Sequence, residues 1–193
     1  LVRDPAGRIV ASGAVLPMGA CTQGGSIAWI SMILVMPSER GRGLGRAVFE
    51  HCLQTAQKVG HTPMLDATPQ GEPLYRQFGF QPFGRLTRWR RGASPAKAAA
   101  LPPGAFDLDA LTAVDAKALG FLRSGLLQEL VLRPGSRCLR VADAFGVVRE
   151  GRSAHQIGPV LAASEASAAG LVRRIADALP GPLVADASDE RSE

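Results

Sequence analysis

Two apolar runs near the start of the chain have the pattern of neighbouring strands. Residues 8–16 follow a turn at Asp4–Gly7, and Ile27–Met36 is apolar at almost every position. A continuous apolar run of this length is typical of a central strand buried on both faces. Pro37 directly after the run argues against its continuation as a helix.

A helix follows the second strand. Apolar residues recur at helical spacing from Leu44 through Val48 and Cys52 to Val59, and Gly60 is a typical helix end. The pattern then predicts a short strand at Met64–Ala67, a helical turn at 72–78 and a strand at Phe80–Trp89. The order is strand, strand, helix, strand, helix, strand, so the fold class is α/β with a mixed sheet.

Residues 91–104 are rich in Ala and Pro and lack apolar periodicity, which is typical of a linker. We therefore expect a first domain over 1–90 and a second over 105–193. The second half is predicted to contain a helical stretch Leu108–Leu132 interrupted near Asp115 and Gly120, strands at Arg137–Ala142, Phe145–Arg149 and Gln156–Leu161, a helix over 165–179 and a strand that begins at Leu183–Ala185.

The two halves share a pattern. In each, an apolar strand leads through Ser-Glu (Ser38-Glu39, Ser164-Glu165) into an amphipathic helix, and then into a strand that ends at Asp-Ala (Asp66-Ala67, Asp186-Ala187). This indicates an internal repeat. Chance similarity between two strand-helix-strand units stays open as the alternative, because such units are common.

The composition indicates what kind of protein contains these elements and where it is expected in the cell. The chain has 193 residues, 46% hydrophobic and 20% charged, which is a globular balance, and no apolar run is long enough for a membrane-spanning helix. Its three cysteines, Cys21, Cys52 and Cys138, form no C-x-x-C pair, so we expect reduced thiols and no metal site. No signal peptide is visible, and the expected location is the cytoplasm, with no membrane partner.

The net charge of +5 comes mostly from arginine, which supplies 19 of the 22 basic side chains. Arginine binds phosphate groups in a bidentate manner. Three of these side chains, Arg40, Arg42 and Arg46, lie in one glycine-rich segment between the buried strand and the helix. A helix N-terminus attracts anions and repels cations, so a cluster of arginines there indicates an anionic ligand.

Two common nucleotide loops do not fit this segment. The spacing of Gly41, Gly43 and Gly45 differs from the G-x-G-x-x-G of dinucleotide-binding folds. A Walker loop requires Gly-Lys followed by Ser or Thr, and that triplet is absent from the chain.

The segment Arg40-Gly41-Arg42-Gly43-Leu44-Gly45 instead matches R-x-x-G-x-G, and Leu74-Tyr75-Arg76-Gln77-Phe78-Gly79-Phe80 follows it. In these two motifs, over residues 1 to 90, the chain resembles the GNAT superfamily of acyl-CoA-dependent N-acetyltransferases. The resemblance implies a GNAT fold and acetyl-CoA as co-substrate, without a metal. The second half looks like the partial, degenerate GNAT-like domain of tandem members, which we do not expect to bind CoA.

The resemblance also implies roles for individual residues. Two central strands are expected to splay apart, with the pantetheine arm of acetyl-CoA on the backbone of Leu34 and Val35. Tyr75 is the expected acid that protonates the departing sulfur, although an ordinary packing role beside Phe78 and Phe80 is the alternative. The pyrophosphate is expected at the loop, Arg40, Gly41, Arg42, Gly43, Leu44, Gly45 and Arg46.

Some features depart from the family pattern. Ile27–Met36 contains no carboxylate, so no general base is assigned, and Thr68 stands where the family more often has Asn. The segments that usually precede Leu1 in a GNAT domain, and the counterpart of Tyr75 to Trp89 in the second half, are not in the sequence. We therefore expect a fragment of a tandem protein.

The expected activity is acetyl transfer from acetyl-CoA to a primary amine of a small molecule or peptide, by direct attack, and a homodimer is one assembly that we consider. The alternative is a non-catalytic acyl-CoA sensor or structural protein. Nucleic-acid binding through Arg85, Arg88, Arg90 and Arg91 is a third hypothesis, but no recognition module accompanies that run, so no nucleic-acid partner is expected.

Overall fold

A computed structural model describes residues 1–96 and 107–188 of the chain. It has two compact units. The first contains Leu1–Gln81 and Ala116–Arg123, and the second contains the described residues of Pro82–Asp115 and Ser124–Glu193. Part of the predicted linker, 97–104, lies outside the described residues.

The first unit is a four-stranded sheet with a helix between its last two strands. Strand order is β1-β2-β3-β4, with antiparallel pairs except for the parallel pair β3 and β4. The elements are β1 (Val2–Arg3), β2 (Ile9–Ala20), β3 (Ser26–Val35), a 3-10 turn (Pro37–Glu39), α1 (Leu44–Lys58), β4 (Thr62–Met64) and α2 (Glu72–Arg76).

The second unit has a five-stranded sheet in the order β5-β9-β8-β7-β6, in which only the pair β8 and β9 is parallel. Its strands are β5 (Leu86–Arg91), β6 (Ser136–Val141), β7 (Ala144–Arg149), β8 (His155–Leu161) and β9 (Leu183–Ser188). Within the described residues, the other helices are α3 (Leu108–Leu119), α4 (Ser124–Leu132) and α5 (Glu165–Ala178).

Both sheets contain the same arrangement. Strands β1 to β4 and strands β6 to β9 have the same order and the same antiparallel, antiparallel, parallel pairing, with α1 and α5 as the matching crossover helices. The internal repeat read from the two Ser-Glu and Asp-Ala pairs is therefore present in the topology of the fold.

The core of the first unit lies between α1 and one face of the sheet. Phe49 and Ile30 are fully buried there together with Val48 and Cys52. Gly13 of β2 permits this close packing, because a Cβ at that position would lie 2.7 Å from Val48 and 2.8 Å from Cys52. Residues 116–123 join the first unit at the end of β2, where Gly19 N donates to Leu122 O at 2.7 Å.

The prediction that β3 is buried on both faces is correct for its first half and wrong for its second. Ile27 on one face and Ala28 and Ile30 on the other are buried, whereas Met32 and Leu34 are 61% and 54% exposed. The apolar residues that pack with α1 from this half, Ile33 and Val35, lie on the other face of the strand. The apolar run in the sequence therefore did not indicate that one face of this part of the strand is exposed.

The strand predicted at Phe80–Trp89 is found at Leu86–Arg91 and lies in the second sheet, although the sequence assigned it to the first domain. It pairs with β9 over six residues, from Leu86 opposite Ser188 to Arg91 opposite Leu183.

Two other predicted boundaries shift. The strand predicted at Met64–Ala67 is found at Thr62–Met64. The predicted helical stretch breaks at Gly120 (φ +80°) and continues through Asp115. The evolutionary domain limits 1–90 and 105–193 stay a prediction.

Two of the arginines in the basic run 85–91, Arg88 and Arg91, have partners inside the second unit. Arg88 forms a bidentate pair with Asp186, with both N to O distances at 2.7 Å. Arg91 donates to the carbonyl oxygens of Ala176, Leu179 and Gly181 at the end of α5. These side chains stabilise the seam between β5 and the rest of the sheet.

Candidate active site

The loop between β3 and α1 has the geometry of an anion cradle. Gly41 (φ +76°) and Gly43 (φ +78°) are in the left-handed region, which favours glycine. A Cβ added at either would meet no atom within 4 Å, so space above the loop is open. Gly43 is the N-cap of α1, without a side-chain cap and without an acidic residue in the first turn.

The backbone amides at the start of α1 are available to bind a group in that open space. The first backbone hydrogen bond of α1 runs from Ala47 N to Gly43 O at 3.0 Å. The amides of Leu44, Gly45 and Arg46 come before it, at the positive end of the helix dipole. An anion placed over the loop would therefore meet both amide hydrogens and partial positive charge.

Each of the three loop arginines has a contact within the protein. Arg40 Nε donates to Val35 O at 3.4 Å, and Arg42 pairs with Glu39. Arg46 donates to Gln77 and lies over the Phe78 ring, 5.1 Å from its centroid. The crowding of arginines at a helix start is thus partly compensated without any ligand, which the sequence argument did not foresee.

Leu34 and Val35 lie where β3 has separated from β4. The parallel pairing covers only Ile27–Trp29 with Thr62–Met64, while β3 continues to Val35. On its other side β3 remains paired with β2, with Leu34 opposite Ser12. The splay implied by the family resemblance requires such an end of pairing, and the role of Leu34 and Val35 stays a prediction.

A bulge in β3 stands next to that opening, and the sequence analysis missed it. The register shifts between Ser12 and Ala14, so that one residue of β2 faces two of β3. Met32 has φ +56°, and its carbonyl accepts a hydrogen bond from Ser12 Oγ at 3.1 Å. Gly13 in the interior of a predicted strand was the available signal, since a strand glycine often marks a bulge.

Tyr75 lies on α2 and packs against the core of the first unit. Its ring centroid is 4.8 Å from that of Phe49 and 6.5 Å from that of Phe80. Gly71 allows the ring to fold back, because a Cβ there would lie 3.0 Å from the Tyr75 ring. Burial raises the pKa of Tyr75, so its phenol is protonated and able to donate across the neutral range.

The second unit has the matching helix start but not the matching loop. Ser164 is the N-cap of α5, and its Oγ accepts from Ser167 N at 3.1 Å, with Glu165 in the first turn. Asp143 also lies here. The hydrogen bond from the Ser167 side chain holds the pKa of Asp143 below its ordinary value, and the backbone amides of Asp143 and Ala163 act in the same direction. Protein oxygens thus occupy the position that is open at α1.

Metal-ligand clusters and membrane-spanning helices are both absent from the described residues. No three His, Cys, Asp or Glu side chains within 1–96 and 107–188 are grouped so that they could hold a metal ion. Among those same residues, no helix has the length and apolar character needed to cross a membrane.

The first sheet is mixed, its parallel pair is short, and a glycine loop precedes its crossover helix, as expected of an acetyltransferase of the GNAT class. Comparison with known families agrees. Two separate family models, both described as an acetyltransferase (GNAT) domain, match residues 1–82 and 111–193. The chain belongs to the GNAT acetyltransferase family and carries two GNAT domains in tandem.

Individual relatives cover the chain to different extents. The uncharacterised N-acetyltransferase YitH of Bacillus subtilis strain 168 is 27% identical over 186 residues, which cover 87% of this chain and 63% of YitH. Glucosamine 6-phosphate N-acetyltransferase of Trypanosoma brucei brucei is 34% identical over 87 residues, which cover 44% of this chain and 59% of that enzyme.

A solved structure is similar over both halves. The crystal structure of a protein from Pyrococcus horikoshii that is assigned as an acetyltransferase matches with a TM-score of 0.71 and 26% identity, covering 91% of this chain and 59% of that one. The chain therefore spans about six-tenths of the length of these relatives.

Proposed function

We propose that this chain transfers an acetyl group from acetyl-CoA to the primary amine of a small molecule or peptide. The observation that carries the proposal is the uncapped start of α1, with left-handed Gly41 and Gly43 beside the open edge of β3. Family membership supports the same reaction class.

In this proposal the loop holds the pyrophosphate of acetyl-CoA. The amides from Arg40 to Arg46 supply hydrogen bonds, and the open space at Gly41 and Gly43 permits close approach of the phosphates. The side chains of Arg40, Arg42 and Arg46 add charge, since a guanidinium has five N–H donors and the contacts described above use only some of them. The backbone of Leu34 and Val35, in the part of β3 that extends beyond its pairing with β4, binds the pantetheine arm.

The chemistry follows from this placement. The lone pair of a neutral amine forms a bond to the thioester carbonyl carbon, and the carbon-sulfur bond breaks. Tyr75 donates its phenolic proton to the departing sulfur, and the amine nitrogen loses a proton to solvent. The raised pKa of Tyr75 keeps that proton on the phenol until it is needed. The result is an amide and free CoA.

One observation favours a second candidate. Strand β3 contains no carboxylate, and its only polar side chains are Ser26 and Ser31, so a general base on this strand is missing. A chain that binds acyl-CoA as a sensor, without turnover, would retain the loop and need no base. The two candidates differ in whether an amine releases CoA.

The test is release of free CoA thiol from acetyl-CoA in the presence of an amine panel. Glucosamine 6-phosphate, the substrate in the name of the trypanosomal relative, is included with spermidine, lysine and a peptide with a free N-terminus. We expect thiol release that depends on at least one amine. Binding of acetyl-CoA without amine-dependent release would favour the sensor, and absence of binding would contradict both candidates.

A further inference from the structure

Arg46 connects the glycine loop to the helix that carries Tyr75. It stands in the first turn of α1, where a cation is unfavourable because of the helix dipole. Its guanidinium donates to Gln77 Oε1, lies 5.1 Å from the centroid of the Phe78 ring and has Nη1 3.6 Å from Glu50 Oε1. These contacts draw the side chain toward the segment that follows α2.

Gln77 is well placed to fix Tyr75. It is the C-cap of α2, two residues after Tyr75, and its backbone N–H donates to Leu74 O at 3.1 Å. Helix α2 has only five residues, and a helix this short depends on tertiary contacts for its position. Its exposed pair, Glu72 with Arg76, lies within the helix and anchors it to nothing else.

The aromatic packing of Tyr75 does not replace this contact. Packing of Tyr75 on Phe49 and Phe80 holds the ring in the core, but apolar contacts are not directional and allow small shifts. The hydrogen bond from Arg46 to Gln77 is directional and starts in the loop itself. A displacement of about 1 Å at a reacting group can cost about a hundredfold in rate.

We propose that Gln77 is a positioning residue: by accepting from Arg46 it fixes α2, and with it the Tyr75 hydroxyl, relative to the glycine loop. The proposal rests on the proposed acetyl transfer for its kinetic consequence. Its structural consequence, a displaced Tyr75 when Gln77 cannot accept, holds whether or not the chain turns over.

The kinetic test compares Gln77→Met, which keeps the length of the side chain and removes the acceptor, with Gln77→Glu, which keeps an acceptor. With the most active amine of the panel, Gln77→Met lowers kcat about tenfold and leaves the KM for acetyl-CoA within about twofold, because the loop amides are intact. Gln77→Glu recovers most of the rate. The control Glu72→Gln breaks only the exposed pair on the same helix and leaves kcat unchanged.

A double variant tests whether Gln77 acts through Tyr75. In a Tyr75→Phe background, Gln77→Met adds no further loss of kcat, since the group that it positions is already gone. Losses that multiply would show that Gln77 acts on something else and would overturn the proposal.

A spectroscopic test works without turnover. Tyr75 is the only tyrosine in the chain, so titration of the phenol by near-ultraviolet absorbance reports this residue alone. In Gln77→Met the pKa of Tyr75 moves toward its ordinary value, because α2 loosens and the ring gains solvent, whereas Glu72→Gln titrates as the unaltered chain does. An unchanged titration in Gln77→Met sinks the proposal even in a chain that transfers acetyl groups.

Discussion

Tyr75 has a half-buried ring that packs on the core and a phenol that retains its proton, and the Tyr75→Phe variant separates these two properties. Phenylalanine keeps the packing on Phe49 and Phe80, so the KM for acetyl-CoA stays within about twofold. Loss of a general acid costs about a hundredfold or more in kcat. Steady-state kinetics with acetyl-CoA and the active amine measure both values, and an unchanged kcat would rule out the acid role.

The pH dependence of the same residue has a definite sign. Burial raises the pKa of Tyr75 above its ordinary value of about 10, so the protonated acid persists to higher pH than for an exposed tyrosine. We expect no loss of kcat from this group as pH rises to about 9. A pH-rate profile that fell in this range in the unaltered chain, and not in Tyr75→Phe, would contradict this assignment.

Gly43 tests the loop through its backbone. An alanine there meets no atom within 4 Å, but it must adopt φ +78°, which costs about 1 to 2 kcal/mol. We expect Gly43→Ala to lower the unfolding midpoint slightly and to weaken acetyl-CoA binding by about tenfold, as the loop amides turn away. Gly125→Ala, in open space on α4, is the matched control, and calorimetry measures both binding and stability. Equal affinity of the two variants for acetyl-CoA would contradict the binding of its pyrophosphate by the glycine loop.

At the level of elements, Arg91 is one of the side chains that join β5 to the rest of the second unit. Arg91 donates to three carbonyl oxygens at the end of α5, and hydrogen bonds from a charged group contribute about 1.5 to 3 kcal/mol. Arg91→Met leaves these carbonyls without that donor, so we expect the free energy of unfolding to fall by about 2 kcal/mol. Arg90→Met, an exposed change on the same strand, is the control. Denaturant unfolding of both variants checks this, and equal midpoints would contradict it.

The elements were largely readable from periodicity, whereas their partners were not. The spacing of Leu44, Val48 and Cys52 predicted α1 because a helix shows its buried face directly in the sequence. The pattern of a strand does not indicate its partner. Nothing in 86–91 predicts pairing with β9, about a hundred residues later, because strand pairing is a non-local property. The exposed face at Met32 and Leu34 was hidden for the same reason.

At the scale of the whole chain, some features of the candidate site could be predicted from the sequence and others could not. Glycine spacing indicated the loop, because backbone conformations that require glycine leave a local mark in the sequence. The contact between Arg46 and Gln77 joins residues 31 apart, and side-chain partners at that separation leave no such mark. The bulge at Met32 was only partly predictable, since its one signal in the sequence was Gly13 on the neighbouring strand.

The tandem repeat gives the chain two crossover helices of the same topology, and only one has an open start. At α1 the glycine loop is free of side-chain caps, while at α5 the cap of Ser164, the acidic Glu165 and the carboxylate of Asp143 fill the corresponding position with protein oxygens. A second pyrophosphate would meet like charge there. We therefore expect titration calorimetry to give one acetyl-CoA per chain, with Gly43→Ala weakening the whole signal. Two sites, or a site that survives unchanged in Gly43→Ala, would show that α5 also binds CoA and that the second domain is not degenerate.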